Sequence, residues 1–397
     1  MTAAGPAVFA VTRPDRLAPA QTLPLSLYVH VPWCVRKCPY CDFNSHALRD
    51  ELPEAAYLDA LSRDLEHALP EVWGRPVETV FIGGGTPSLL SPEAVDRLLT
   101  TVRTLLPLRP GAEITLEANP GTFELARFRG YREAGVNRLS LGIQSFDDRF
   151  LKALGRIHDG REAHAAISGA LALFERVNLD LMYALPGQTP ADLARDLAAA
   201  LGHAPQHLSC YHLTLEPNTA FAAAPPVLPD DDAAATMQDQ VEAALAEAGY
   251  QHYETSAYAR PGLACRHNLN YWQFGDYLGI GAGAHSKLSF PDRVVRQARP
   301  KHPKDYLAWA GSGRPPEDLR VLGRDDLKFE FMMNALRLNA GFDDGLFMER
   351  TGLPLQSVAE PLREAQAKGL LEHDGPRLRP SEQGRRFLND LLQMFLE

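Results

Sequence analysis

Six apolar, β-rich runs alternate with helical patterns along residues 25–247, and this order constrains the fold more than any other feature. The expected strands are Leu25–Val31, Val77–Ile82, Glu113–Glu117, Arg138–Ile143, Asn178–Met182 and Leu208–Leu213. The expected helices are Pro53–Ala68, Pro92–Leu105, Phe123–Ala134, Arg161–Phe174, Pro190–Leu201 and Asp230–Glu247. This alternation predicts an α/β protein with a parallel sheet, either doubly wound or curled toward a barrel.

Polar or glycine-rich residues follow five of these strands at the point where each strand ends. They are a cysteine loop, then Gly83–Ser88, Glu117–Pro120, Gln144–Ser145 and Ala184–Gln188. The carboxyl ends of parallel strands are where barrels and open α/β sheets build their sites. If the sheet curls into a barrel, these five strand ends meet at one end of it and form a single pocket. The placement of the polar residues therefore favours a partial, TIM-like (β/α)6 barrel.

Three of the five cysteines, Cys34, Cys38 and Cys41, lie in the loop after the first strand. Their Cys-x3-Cys-x2-Cys spacing suits three corners of a [4Fe-4S] cluster, because thiolates are the ligands that such clusters take. Without a fourth thiolate nearby, one iron would keep an open position for chemistry. A structural zinc site completed by His30 or His46 is the second interpretation, although zinc sites usually pair their cysteines twice.

The composition of the whole chain excludes some classes of protein. A formal net charge of −10 over 397 residues argues against a nucleic-acid partner, which needs a basic face. No apolar run reaches the roughly 20 residues that cross a bilayer. The first residues lack the pattern of a secretory signal. We therefore expect a cytoplasmic protein in which residues 1–23 form a flexible leader.

A change near residues 310–322 indicates a second domain. Glycine, proline and serine make up most of residues 311–316, as in a linker. Beyond it, helical patterns at Leu327–Leu338, Pro354–Gln366 and Glu382–Phe395 surround a short hairpin at Leu370–Arg379. We expect a core over residues 24–290, a linker over 291–322, and a small, mostly helical, winged-helix-like domain over 323–397. Because it lacks a basic recognition helix, we expect that domain to serve as a cover or a docking surface and not to bind DNA.

The cysteine loop and the run Gly83-Gly84-Gly85-Thr86-Pro87 together resemble the radical S-adenosylmethionine enzymes. More narrowly, they resemble the oxygen-independent coproporphyrinogen oxidase group, from about Leu25 to Ser286 and on into the C-terminal domain. In that family the open iron is chelated by the amino and carboxylate groups of S-adenosylmethionine. An electron from the cluster then cleaves the cofactor to give a 5′-deoxyadenosyl radical. The resemblance thus implies a radical S-adenosylmethionine core with these two cofactors.

The resemblance also implies which residues would contact S-adenosylmethionine. Tyr28 and Tyr40 would flank the cluster and the cofactor. The glycine run would approach the methionine amino group, because only glycine lets the backbone come so close. The positions that match the family's contacts, besides the two tyrosines, are Gly84, Gly85, Thr86, Glu117, Gln144, Arg156, Asp180 and Thr214. Among them, Arg156 would meet a carboxylate, Asp180 the ribose hydroxyls and Thr214 the adenine.

Two departures separate this chain from the oxidases of the group. The oxidases carry a further cysteine two residues after the third, where this chain has Phe43, and they have a longer N-terminal arm. Both departures resemble a sister branch of heme chaperones, as does the motif His267-Asn268-x-x-Tyr271, which is associated there with heme binding. Imidazole is a common axial ligand of heme iron, and tyrosinate is a less common one. Cys265 could be the ligand instead.

Three functions remain open from the sequence. The favoured one is a heme chaperone that binds a [4Fe-4S] cluster, S-adenosylmethionine and heme, and delivers heme to an acceptor protein. We expect that acceptor to belong to the respiratory chain and to bring the protein transiently to the membrane. The enzyme alternative is an oxygen-independent coproporphyrinogen III oxidase, which decarboxylates propionate side chains. The third is an interaction protein held together by zinc. His285 has no role that the sequence suggests.

Overall fold

The computed structural model describes residues 23–316 and 318–396. Almost all of the expected leader, residues 1–22, lies outside the described residues, so the structure does not bear on it. Within the described ranges, no helix is long and apolar enough to cross a lipid bilayer.

The chain forms seventeen strands and fifteen helices within those ranges. The strands are β1 (Leu25–Val31), β2 (Trp33–Cys34), β3 (His46–Ala47), β4 (Val77–Gly84), β5 (Leu108–Ala118), β6 (Arg138–Gln144), β7 (Arg176–Tyr183), β8 (His207–His212), β9 (Gln251–Glu254), β10 (Ala257–Ala259), β11 (Asp276–Ile280), β12 (His285–Ser289), β13 (Val294–Ala298), β14 (Asp318–Val321), β15 (Phe342–Asp343), β16 (Leu371–Asp374) and β17 (Arg377–Pro380). The helices are α1 (Glu54–Val72), α2 (Pro92–Leu105), α3 (Thr122–Ala134), α4 (Asp148–Ala153), α5 (Gly160–Leu173), α6 (Pro190–Gly202), α7 (Ala220–Ala223), α8 (Asp231–Glu247), α9 (Arg266–Trp272), α10 (Pro303–Ala310), α11 (Arg324–Ala335), α12 (Asp344–Thr351), α13 (Ala359–Ala367), α14 (Glu382–Arg386) and α15 (Leu388–Gln393).

A twelve-stranded sheet forms the body of the protein, and its centre is parallel. The parallel strands lie in the order β11-β1-β4-β5-β6-β7-β8. Antiparallel strands extend both edges: β12, β13 and β14 on one side, and β10 and β9 on the other. The six strands that alternate with helices are neighbours in chain order, which is the winding of a barrel. Because the sheet ends on two different strands, β14 and β9, the barrel stays open. The predicted partial (β/α)6 barrel is confirmed.

Local sequence explains why these elements form. On β1, residues of both faces, such as Ser26 and Leu27, are fully buried, as expected for a parallel strand covered by helices. Helix α2 begins with Ser91, whose side chain accepts a hydrogen bond from the Ala94 amide, and Pro92 takes the first helical position. Helices α5 and α6 each begin with a capping box.

The register between β1 and β4 positions the site. His30 lies opposite Gly83, and Val31 lies opposite Gly84. The amide of Gly85 then donates to the Val31 carbonyl at 2.7 Å. The glycine run therefore lies beside the point where the chain leaves β1 and enters the cysteine loop.

The segment expected to be a linker, residues 291–322, is corrected by the structure. It contains β13, α10 and β14, and its two strands belong to the large sheet. Val294 and Tyr306 are buried there, so the segment covers the open edge of the barrel. The glycine- and proline-rich residues 311–316 form only a short connection within it.

The C-terminal part of the chain is mostly helical, as expected. Helices α11 to α15 surround a three-stranded antiparallel sheet, β15-β17-β16, which includes the expected hairpin. Its core contains Phe331 and Phe347 and continues into Phe274 and Val294 of the barrel. The two parts therefore share one hydrophobic cluster.

Candidate cofactor site

A cavity of about 720 Å³ opens at the carboxyl ends of the parallel strands. Every residue that the sequence suggested for a cofactor or for the cluster lines this cavity. These residues are Tyr28, Cys34, Cys38, Tyr40, Cys41, Gly84, Gly85, Thr86, Glu117, Gln144, Arg156, Asp180, Thr214, His267 and Tyr271. The structure thus brings together residues that lie up to 243 positions apart in the sequence.

The cysteine loop is a compact, hydrogen-bonded turn. Cys34 ends the short strand β2, which pairs in parallel with β3, and the Cys41 amide donates to the Cys38 carbonyl at 3.2 Å. The ammonium group of Lys37 donates to the carbonyls of Phe43 and Ser45 across the loop. These hydrogen bonds fold the loop into a compact turn that brings the three cysteines together.

The three thiols suit a cluster better than a single metal ion. All five cysteines are free of disulfide bonds. Within the described ranges, no group of three or more His, Cys, Asp or Glu side chains is arranged to hold one metal ion. A cubane takes one thiolate per iron, so its ligands stand farther apart than those of zinc. Burial raises the pKa of Cys34 and Cys41, so that binding iron would displace their protons.

The glycine run makes close contact with this loop. Gly84 has a φ of 120°, which favours glycine. A Cβ atom on Gly85 would stand 2.6 Å from the carbonyl oxygen of Trp33 and 3.0 Å from Cys34 Sγ. At this position glycine is therefore required by the cysteine loop itself, in addition to any approach of a ligand.

Arg156 connects the loop to two strand ends. Its Nη1 lies 3.8 Å from Cys38 Sγ, and its Nη2 donates to Asn119 Oδ1 at 2.5 Å and to the Gly142 carbonyl at 2.7 Å. Asn119 in turn donates to the hydroxyl of Thr86 at 3.2 Å. Sequence reasoning did not single out Asn119, although it lies in the polar stretch at the end of β5.

Two carboxylates face the cavity, one from β5 and the other from β7. Burial, together with the charge of Asp180, raises the pKa of Glu117 to about 8. Glu117 accepts a hydrogen bond from the Gly84 amide at 3.1 Å. Asp180 accepts from Ser140 and Asn178, and burial raises its pKa as well. A cationic ligand would relieve the repulsion between these carboxylates.

Unsatisfied polar atoms support a polar ligand in this cavity. Gln144 Oε1 and Arg156 Nε are buried and have no hydrogen-bond partner among the described residues. Gln144 also has a positive φ of 66°, which is uncommon for a residue with a side chain. Buried polar atoms of native proteins are normally satisfied, and strained backbone tends to concentrate at functional sites. Three thiols, a glycine turn and unpaired polar groups therefore fit a cluster and S-adenosylmethionine.

The tyrosines and Thr214 lie at the sides of the cavity. The Tyr28 hydroxyl bonds to His30 Nδ1 at 2.9 Å, and its ring stacks on Phe81. Tyr40 packs beside Arg156 and Cys38, and burial raises its pKa. The side chain of Thr214 is exposed and donates to Glu216 at 2.9 Å.

His267 is held by protein partners on both sides of its ring. Nδ1 lies 2.8 Å from the Thr79 hydroxyl, and Nε2 lies 2.9 Å from the Tyr271 hydroxyl. Because Thr79 donates its proton to Ser26, it accepts from Nδ1, and Nε2 accepts from Tyr271. The side chain is only 1% exposed, and burial lowers its pKa to about 3. His267 would therefore have to lose the bond to Tyr271 before Nε2 could bind iron.

The two remaining cysteines are buried. Cys210 lies in β8 and belongs to the main hydrophobic core. Cys265 borders the cavity, but its thiol donates to Glu113 at 3.6 Å, and burial raises its pKa to about 12. The raised pKa disfavours the thiolate form that heme iron would take.

Known proteins match this chain along most of its length. A heme chaperone HemW from Escherichia coli (strain K12) is 51% identical over 375 residues, which are 94% of this chain and 98% of the relative. The chain belongs to the HemW family. A second HemW, from Haemophilus influenzae, is 46% identical over 94% of this chain and 98% of its own length.

Family models and a solved structure place the HemW family among radical S-adenosylmethionine proteins. The model of the Radical SAM superfamily matches residues 28–200, and that of the HemN C-terminal domain matches residues 322–387. The structure of coproporphyrinogen III oxidase (HemN) from Escherichia coli aligns with a TM-score of 0.80 at 27% identity, covering 97% of this chain and 91% of the oxidase. Proteins of the superfamily bind a [4Fe-4S] cluster and S-adenosylmethionine, which together supply one-electron chemistry.

Proposed function

We propose that this protein is a heme chaperone, which binds heme and transfers it to an acceptor protein. HemW relatives that carry the name heme chaperone support this function at 46–51% identity over nearly their full length. The acceptor would be a hemoprotein of the respiratory chain. The protein would work in the cytoplasm and reach the membrane through that acceptor, without a nucleic-acid partner.

The cofactors would occupy the first cavity. Cys34, Cys38 and Cys41 would each hold one iron of the cluster. Asp180 would bind the ribose of S-adenosylmethionine, and Arg156 its carboxylate. Glu117 would face the positive charge of the cofactor, since a nearby cation lowers the raised pKa of this carboxyl group and favours its ionised form. Backbone groups of Gly84, Gly85 and Thr86 would also contact the cofactor. Gln144 would offer its side-chain amide, and Thr214 would contact the adenine. Tyr28 and Tyr40 would line the sides of the cofactor site.

Phe43 is the observation that most supports a chaperone over the oxidase. It stands where the oxidases of the group have a further cysteine, and its side chain is 60% exposed at the edge of the cavity. A large exposed aromatic ring beside a cavity offers stacking area to a flat apolar ligand such as a porphyrin. It offers no thiol for redox or proton-transfer steps.

The second candidate is an oxygen-independent coproporphyrinogen III oxidase. The overall similarity to the HemN structure favours it, because the same core and C-terminal domain are present. The two functions make opposite predictions about the porphyrin. The chaperone binds heme and releases it unchanged, whereas the oxidase converts coproporphyrinogen.

One set of assays on a single preparation separates the two functions. The protein would be reconstituted anaerobically with iron and sulfide, and divided between hemin titration and coproporphyrinogen decarboxylation with S-adenosylmethionine and a reductant. We expect saturable hemin binding, transfer of heme to an apo-hemoprotein acceptor, and no decarboxylation. Efficient decarboxylation, with hemin binding no tighter than to an unrelated protein that has no heme site, would establish the oxidase instead.

A further inference from the structure

A second cavity, of about 740 Å³, adjoins the first one. It lies between the cysteine loop, the connection from β11 to β12, and helices α9 and α11. The two cavities share the walls formed by Tyr28, Phe43, Tyr271 and Trp272, and the carboxylates of Asp42 and Glu117 also border both. Its volume is in the range of pockets that bind cofactor-sized ligands, roughly 300–1,000 Å³.

The second cavity has aromatic walls, and lysines line it beside the carboxylates of Asp42 and Glu117. Phe43, Tyr271 and Tyr277 contribute rings, and Tyr271 meets Tyr277 edge to face at 4.6 Å. Lys37 and Lys301 line the cavity as well. Lys37 donates to two backbone carbonyls, which are neutral, so its charge is not cancelled by them. Aromatic walls with cations at the rim suit a flat apolar ligand that carries carboxylates.

The first cavity has a different electrostatic character in its interior. Glu117 and Asp180 lie there close enough for Asp180 to raise the pKa of Glu117. Glu117 borders both cavities, whereas Asp180 lines the first cavity and not the second. In the first cavity, the carboxylate of Asp180 would repel a heme propionate and suit the positive charge of S-adenosylmethionine. The interior around Asp180 therefore suits S-adenosylmethionine, and the neighbouring cavity suits a ligand whose carboxylates reach Lys37 and Lys301.

His285 is the histidine of the second cavity whose ring has no hydrogen-bond partner among the described residues. By contrast, His30 bonds to Tyr28 and to the Asn44 carbonyl, and His46 bonds to the Asn44 side chain. The side chain of His285 is exposed at the start of β12. The ring is only partly buried, and this partial burial, followed by the nearby charges of Lys301 and Arg296, lowers its pKa, so the neutral form with an available nitrogen lone pair is favoured at pH 7.

We propose that heme binds in this second cavity, with His285 as the axial ligand of its iron and Lys301 as the partner of a propionate. The proposal rests on the proposed function, because the ligand is the heme of a heme chaperone. In this arrangement His267 keeps its hydrogen bonds to Thr79 and Tyr271. The ring of Tyr271 then forms part of the aromatic wall against which heme packs. It also places heme beside, and not inside, the cavity of S-adenosylmethionine.

Hemin titration of single variants tests the axial ligand. The full-length protein with its cluster would be titrated anaerobically, and the Soret band and the low-spin ferric resonance would be followed. We expect His285→Ala to weaken hemin binding at least about tenfold and to remove the histidine-ligated signature. Free imidazole should restore that signature in His285→Ala. His67→Ala, an exposed histidine on α1, is the matched control and should behave like the wild type.

A charge-reversal substitution at Lys301 tests whether its ammonium group pairs with a heme propionate. Lys301→Glu should weaken hemin binding several-fold and should weaken binding of a heme dimethyl ester much less, because the ester has no propionate charge. Lys304→Glu, on the same segment but outside the cavity, is the control.

The outcomes separate the site from the function. If the wild type binds hemin and His285→Ala keeps both its affinity and its spectrum, the site is wrong while the chaperone function stands. Loss of the signature in His267→Ala and not in His285→Ala would move the ligand to the first cavity and overturn the proposal. If the wild type does not bind hemin, both the site and the chaperone function fail.

Discussion

Arg156 places a guanidinium nitrogen 3.8 Å from the sulfur of Cys38. The same guanidinium spans the ends of β5 and β6, through Asn119 and the Gly142 carbonyl. A cation at this point offsets the negative charge that three thiolates bring to the loop, and a planar fork can donate in several directions at once. The cluster loop and the proposed cofactor pocket therefore share one side chain.

Arg156→Lys should weaken S-adenosylmethionine binding by about 1–3 kcal/mol, because lysine keeps the charge but not the fork of donors. The measurement is calorimetry on protein with equal cluster content. Arg149→Lys, on an exposed arginine paired with Asp147, is the matched control. Equal affinities of Arg156→Lys and the wild type would show that Arg156 does not contact the cofactor.

Single exchanges of Cys34, Cys38 or Cys41 to alanine should each abolish the [4Fe-4S] centre, since two thiolates hold a cubane poorly. Iron and acid-labile sulfide would be measured together with the spin-resonance signal, which should change in the wild type when S-adenosylmethionine is added. Cys210→Ala, in the core of β8, should retain the cluster. Stoichiometric zinc without labile sulfide in the wild type would overturn the assignment.

Gly85→Ala should lower cluster content as well as cofactor binding. Even one methyl group at this position would stand 2.6 Å from the Trp33 carbonyl and 3.0 Å from Cys34 Sγ, so the cysteine loop must move. Gly202→Ala is the control, because nothing lies within 4 Å of the Cβ it would add. Full cluster content in Gly85→Ala, with only S-adenosylmethionine binding lost, would limit the role of this glycine to the ligand.

Glu117→Gln should make the stability of the cofactor-free protein less dependent on pH. The pKa of Glu117 is raised from 4.5 to about 8, so its contribution to stability is fully present below pH 4.5 and is lost as the pH rises through 8. The variant should therefore gain stability relative to the wild type with rising pH. Urea unfolding at a series of pH values measures this difference, with the exposed Glu133→Gln as control. A difference that does not change with pH would contradict the raised pKa.

His267→Ala should destabilise the fold by about 1–3 kcal/mol, because it leaves the buried Thr79 and the partly buried Tyr271 without their hydrogen bonds to the ring. His285→Ala should change stability by less than about 0.5 kcal/mol, since its side chain is exposed. Urea unfolding of both variants tests the contrast. If His267→Ala is as stable as the wild type, the ring is not a structural element of the barrel.

Much of the site could be predicted from the sequence because it depends on one topological rule. Once strands and helices alternate, the residues after each strand must meet at one edge of the sheet, however far apart they are in the chain. Cys34, Glu117 and Asp180 meet in one cavity for this reason. Asn119 was missed because its role depends on the side chain of Arg156, which comes from a loop beyond the next strand.

The sequence by itself determined the alternation of six strands with helices, the position of the cysteine loop and the meeting of polar residues at the strand ends, since hydrophobic period and local motifs encode these. Only the tertiary structure decided which segment covers the open edge of the barrel, where β13 and β14 replaced an expected linker. It also decided that His267 is occupied by Thr79 and Tyr271, while the ring of His285 faces a cavity. Such hydrogen bonds, and the pairing of strands at a sheet edge, join segments that are distant in the chain. A local sequence pattern does not show which distant segment will be the partner.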